Sequence, residues 1–200
     1  GTKNIVKVSK KFNIRLIHIS TDAVFDGERG LYVEEDNTNP INTYGKSKLL
    51  GEKYVRENLD NYVIIRTNIF GIDPNGRDFI SNIIKNLKNK KSMIGFDDII
   101  YSPLEISNLV EIIIEILKIN YCGIIHLSSD IPISKYQFIL EVADVFKLDK
   151  TLVKKGTSEE IKFIAKRPKN LTLCNDKAKK ILKTQIIPLK ESLKKIRIKS

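Results

Sequence analysis

The sequence predicts an α/β protein built on a parallel sheet, and three observations carry that prediction. Helical and strand-like segments alternate along its first half. The run Ile14-Arg15-Leu16-Ile17-His18-Ile19-Ser20 is short, apolar and β-branched, as a buried strand should be. A stretch long enough for a crossover helix, Thr43 to Asn58, separates it from a second such run at Tyr62 to Arg66.

Taken in order, Thr2 to Phe12 reads as an amphipathic helix, since Ile5, Val8 and Phe12 fall at helical spacing with lysines between them. After the first strand, Gly27, Gly30, Asn37, Asn39 and Pro40 mark a loop, and Asp73-Pro74-Asn75-Gly76 marks a turn. Beyond Gly76 the pattern gives a helix at Phe79 to Asn89 and a short apolar stretch at Met93 to Phe96. A helix at Ile106 to Ile119 follows, with Glu111 and Glu115 on one exposed stripe. Gly123 to Leu127 reads as a strand and Tyr136 to Phe146 as a helix; the remainder reads as loop-rich, with Arg167-Pro168 and a Lys-rich end.

The totals narrow the class. A chain of 200 residues, 42% hydrophobic and 30% charged, is ordinary for a soluble folded protein. No apolar run approaches the ~20 residues that span a bilayer, and the start, Gly1-Thr2-Lys3-Asn4, does not read as a signal peptide. Two cysteines, Cys122 and Cys174, make neither a disulfide framework nor a metal site, so a cytoplasmic location is expected. The net charge of +11 comes from scattered lysines, with clusters at Lys88 to Lys91 and Lys190 to Lys199. Without an aromatic platform they read as a solvated face rather than a nucleic-acid site, and they could steer an anionic ligand.

Two groups of residues stand out chemically. Ser20-Thr21-Asp22 sits at the C-terminal end of a predicted parallel strand, where α/β sheets place ligands. Tyr44 and Lys48, four residues apart, share one face at the start of the crossover helix. Reducing a ketone with hydride requires a proton for the developing oxyanion. A phenol of pKa ~10 is sluggish at that task unless a neighbouring ammonium stabilises phenolate. A Thr21 hydroxyl could hold the same oxygen. Each group alone has an ordinary reading: Tyr-x-x-x-Lys recurs on amphipathic helices, and Ser-Thr-Asp is a common helix cap. His18 and His126, both inside strands, read as packed core histidines.

The combination is more specific. The block Ile17 to Gly27, with Tyr32, Glu34 and Asp36, then Asn39 to Lys48 and Gly51-Glu52, resembles the dTDP-4-dehydrorhamnose reductase family of sugar-nucleotide reductases. The likeness resumes at Arg66-Thr67-Asn68, at Gly123 to Ser128, and at Arg167-Pro168-Lys169-Asn170 followed by Leu173. It implies a partial Rossmann-like parallel sheet with a smaller C-terminal α+β substrate-binding region. Residues 1–71 would be the C-terminal half of the NAD(P)-binding domain, and residues 72–200 mainly the substrate region, with some elements returning to the sheet.

By the same resemblance Tyr44 is the general acid, and Lys48 its modulator and a contact to the nicotinamide ribose. Thr21 polarises the carbonyl, beside Ser20 and Asp22; Asn68 lies along the nicotinamide; and Ser102 and Arg167 face the nucleotide-sugar pocket. The expected cofactor is NADPH or NADH, with no metal. The expected partner is a nucleotide sugar, with neither nucleic acid nor membrane, and homo-oligomerisation is left open.

The sequence departs from the family at Ile69, where an aromatic is usual, and over Asp97 to Leu104. The Gly-rich strand-turn-helix that would hold a pyrophosphate is not found, and Gly27-Glu28-Arg29-Gly30 reads only as a turn. On family proportions about 80 residues, one βαβαβ half, would precede Gly1, so the chain is expected to be a fragment. An exposed sheet edge would then make it poorly stable alone or oligomeric. Alternative readings are a nucleotide-sugar epimerase or dehydratase, and a non-catalytic regulatory homologue like the regulatory subunit of methionine adenosyltransferase.

Overall fold

The structure, a computed structural model, describes residues 1–161 and 163–199. Its centre is a three-stranded parallel sheet. Helix α1 (Thr2–Lys11) leads into strand β1 (Leu16–Ile19), and helix α2 (Thr43–Asn58) crosses to β2 (Tyr62–Thr67). Next come β3 (Ile69–Phe70), α3 (Phe79–Lys88), β4 (Met93–Phe96), β5 (Ile100–Tyr101), β6 (Leu104–Glu105) and α4 (Ile106–Lys118). The chain returns to the sheet in β7 (Gly123–Leu127), so the order is β1-β2-β7 with β2 in the middle. It continues with β8 (Ile133–Ser134), α5 (Lys135–Phe146), β9 (Val153–Gly156), α6 (Asp176–Ile181) and α7 (Leu189–Lys199).

The near-continuous apolar run of β2 is explained by burial on both faces. Val63 and Ile65 join Ile125 and Leu127 of β7 against Leu109, Ile112 and Ile116 of α4. Ile64 turns the other way, into a cluster with Val6 of α1, Val55 of α2 and Leu59 just past the end of α2. A separate core forms where Ile80, Ile83 and Leu87 of α3 meet Phe138, Ile139 and Val142 of α5. Short strand pairs surround it: β3 with β6 and β4 with β9 are parallel, and β5 with β8 is antiparallel.

Two expectations need correction, and one element was missed. Helix α1 forms, but Ile5, Val8 and Phe12 are 54%, 51% and 62% exposed, while Val6 and Ser9 are buried. The polar-looking side of the helix is therefore the one that packs on α2. Glu115 does not lie on an open stripe; its carboxylate accepts the backbone N–H groups of Lys183 and Thr184, both at 2.7 Å. The loop-rich end of the chain also holds a helix that the sequence reading lacks. Apolar Leu189, Leu193 and Ile196 recur at helical spacing within the lysines, and α7 presents them to α5.

Candidate active site

Parallel strands bring their C-terminal ends to one edge, and the site is built there. Ser20 extends the ladder by donating its N–H to the Ile65 carbonyl at 2.7 Å. The chain then leaves the sheet through Thr21, whose Oγ1 accepts the Ala23 N–H at 3.2 Å and so caps one 3-10 turn at Asp22–Val24. Helix α2 starts directly on this turn. Asn42 caps it, accepting the Gly45 N–H at 2.9 Å. A Cβ at Gly45 would fall 2.1 Å from the Ala23 carbonyl oxygen, so only glycine permits that approach. The contact puts Tyr44 and Lys48 beside Thr21.

Together they open on a cavity of about 560 Å³. Ser20, Thr21, Asp22, Tyr44, Lys48, Asn68 and Arg167 all line it. Ser102 does not; it is 2% exposed, follows the lining residue Tyr101 in the chain, and its hydroxyl has no hydrogen-bond partner.

Within the cavity the residues divide by what they already bond. Tyr44 is exposed at the mouth. Lys48 is half-buried, and its ammonium donates to the Ile19 carbonyl at 2.5 Å. Burial lowers its pKa and the Glu52 carboxylate opposes that. Asp22, 2% exposed, accepts from Thr21 Oγ1 at 3.0 Å and from the Asn68 amide at 2.7 Å. Burial pushes its carboxyl up to about 6, against the pull of these two hydrogen bonds. The Asn68 amide is thus engaged with Asp22, although Asn68 also lines the cavity.

Ser20 also has a bonding role in the wall: its hydroxyl donates to Glu52 at 2.5 Å. Glu52 is in turn gripped by the Arg66 guanidinium, Nη2 at 2.8 Å and Nε at 3.1 Å, inside the protein. Arg66 continues to the Glu34 carbonyl and to His126 Nε2, each at 3.4 Å. Since a guanidinium only donates and the Tyr32 carbonyl, 3.0 Å from His126 Nδ1, only accepts, the neutral Nδ1–H tautomer satisfies both. Burial first, and then the charge of Arg66, pulls the His126 pKa down to about 3.

Lys135 was not foreseen from the sequence, yet it lines the same cavity. Burial brings its ammonium down to about 8, with Asp22 opposing and Arg167 adding to the shift. The one local signal was its place at the first position of α5, where the helix dipole disfavours a cation.

The geometry places this chain among known proteins. The RmlD substrate binding domain family matches residues 1–199. The chain belongs to that family. It is 28% identical, over 98% of its length, to the dTDP-4-dehydrorhamnose reductase of Aggregatibacter actinomycetemcomitans, of which it covers 71%. It is 31% identical over 76% of its length to the spore coat polysaccharide biosynthesis protein SpsK of Bacillus subtilis, and covers 53% of it. The crystal structure of dTDP-4-dehydrorhamnose reductase from Bacillus anthracis, in complex with NADP, superposes with a TM-score of 0.93 at 28% identity. That superposition covers 100% of this chain and 70% of that one. The chain thus spans between about half and seven-tenths of these relatives' lengths.

Among the described residues no helix is long and apolar enough to cross a membrane, and no cluster of His, Cys, Asp and Glu could hold a metal ion.

Proposed function

We propose that the protein to which this chain belongs reduces the 4-keto group of a nucleotide-linked deoxysugar with NADPH or NADH. The observation that carries this reading is the meeting of Thr21, Tyr44 and Lys48 on one cavity at the carboxyl edge of a parallel sheet. The dTDP-4-dehydrorhamnose reductases among its relatives, one of them an NADP complex, support the substrate and cofactor class.

The residues present fit the nicotinamide end of such a cofactor. An ammonium has three donors, and Lys48 commits one to the Ile19 carbonyl, leaving others for ribose hydroxyls. When bound, the reduced nicotinamide supplies hydride to the carbonyl carbon. Tyr44, at the mouth, donates the proton that the carbonyl oxygen needs. Lys48 lies one helical turn along and favours the phenolate left behind. Thr21 Oγ1 turns its proton from Asp22 to the carbonyl oxygen, as an oxyanion donor. In this reading residues 1–71 carry proton delivery and the rest mainly holds the sugar nucleotide, with Arg167 at the rim. A cytoplasmic setting and a nucleotide-sugar partner go with it.

The test is Tyr44→Phe in the full-length protein, following reduced nicotinamide with a dTDP-4-keto-6-deoxysugar. We expect kcat to fall about 10²–10⁴-fold, the usual contribution of a general acid, with KM little changed. Full activity in that variant would overturn the assignment. A product with no added hydrogens by mass would instead establish an epimerase.

A further inference from the structure

Lys135 has no part in this proton delivery, and its surroundings offer it aromatic faces rather than hydrogen-bond acceptors. Its ammonium sits 3.4 Å from the centroid of the Tyr101 ring and 5.3 Å from that of Phe79. Burial and the charges of Asp22 and Arg167 act on it, but among the described residues no hydrogen bond or ion pair reaches it. The Tyr101 face offsets part of the cost of a desolvated cation at the start of a helix, but it leaves the N–H donors of the ammonium without acceptors. The same wall holds a second unmet group: Thr67, 3% exposed, has a hydroxyl with no hydrogen-bond partner. Two polar groups without protein partners on one cavity point to a ligand that completes them.

The neighbouring charge indicates which part of the ligand. Asp22 lies close enough to act on Lys135, and it adjoins Thr21, the residue assigned to the carbonyl. A phosphate at this point would meet a buried carboxylate. A neutral hydroxyl suits both neighbours, because it accepts from an ammonium while donating to a carboxylate. Arg167, exposed at the rim, is better placed for the anionic end.

We propose that Lys135 is a specificity-determining residue that donates a hydrogen bond to a hydroxyl of the sugar ring, with Asp22 accepting from that hydroxyl or its neighbour. The proposal rests on the nucleotide-sugar reading above. It assigns discrimination among sugars to a residue outside the proton-delivering group.

Calorimetric titration of the full-length protein with dTDP-rhamnose and with dTDP alone separates the sugar from the phosphates. We expect the wild type to bind dTDP-rhamnose about ten-fold more tightly than dTDP, the scale of one hydrogen bond to a charged group. Lys135→Met should abolish that ratio and leave dTDP affinity unchanged, and Lys135→Arg should recover part of it. Should the methionine variant melt at lower temperature than the wild type, Lys135→Gln carries the same comparison.

Equal weakening of both ligands would make Lys135 a phosphate or structural residue and overturn the proposal. An unchanged ratio in the methionine variant would overturn it too, as would equal wild-type affinity for both ligands; all three leave the nucleotide-sugar reading intact. Failure of the wild type to bind either ligand would overturn both readings together.

Discussion

Two acid–base pairs lie close together in this molecule and are treated in opposite ways. Glu52 and Arg66, with side chains 1% and 3% exposed, satisfy each other through a forked contact, and Ser20, His126 and the Glu34 carbonyl take up further bonds. Asp22 and Lys135 face the cavity and act on each other electrostatically, yet form no ion pair. Burial draws their pKa values toward one another, the acid up to about 6 and the base down to about 8. A self-contained pair holds the strand end in place. An open pair keeps bonding capacity for something that arrives later.

The largest expected effect comes from breaking the closed pair. Arg66→Met leaves the Glu52 carboxylate buried without its partner and should cost about 3–5 kcal/mol of stability, read from denaturant unfolding. A loss below about 1 kcal/mol would mean that the two pairs do not differ as described.

The open pair should respond with the opposite sign. Asp22 has an ordinary carboxylate value of 3.8 when unfolded and about 6 when folded, so the folded state holds its proton longer. The stability that this carries is complete below about pH 4 and is lost as pH rises through about 6. The difference amounts to about 3 kcal/mol. Asp22→Asn should remove this loss, so that the variant gains on the wild type by about that amount between pH 4 and pH 8. Parallel unfolding curves at the two pH values check it, and a constant difference would contradict the burial argument.

The smallest effect sharpens the picture. Asn68→Ala deletes the 2.7 Å donor to Asp22 and should cost about 1–2 kcal/mol at pH 8. The cost should shrink once Asp22 is already Asn, which a double-mutant cycle measures.

Much of the architecture was legible because local and global requirements agree. Ile64 and Ile65 are apolar in succession since β2 is covered on both faces. Thr43 to Asn58 is a helix because Asn42 caps it and Gly45 allows it to seat on the loop. Where the reading failed, tertiary contacts decided. The apolar side of α1 is not the buried side, and nothing in its spacing could reveal that Val6 and Ser9 face α2. In α7, lysine density hid a regular apolar stripe.

The site follows the same division. Thr21, Tyr44 and Lys48 have fixed spacings within one strand-loop-helix unit, so pattern alone could mark them. Lys135 comes from a helix more than a hundred residues beyond Asp22 and has no motif. Only the anomaly of a cation opening a helix could have flagged it. Ser102 stays off the cavity lining while Tyr101 reaches it, because one step along the chain decides which side chain faces the cavity.

The loop behind Thr21 is fastened from far away in sequence. Gly27, at φ +80°, lies against Pro168, its carbonyl accepts the Asn170 N–H at 2.9 Å, and Leu31 donates to Thr172 at 2.6 Å. A Cβ at Gly27 would come within 2.5 Å of the Pro168 Cβ. Contacts of such separation form late, because the loop they close must first be ordered. On the ribosome, the strand, the 3-10 turn and the Tyr44 helix can pair while residues beyond 160 are still being made. The cavity can take its final shape only after the segment around Thr172 has emerged and docked, so its assembly is timed by the last fifth of the chain.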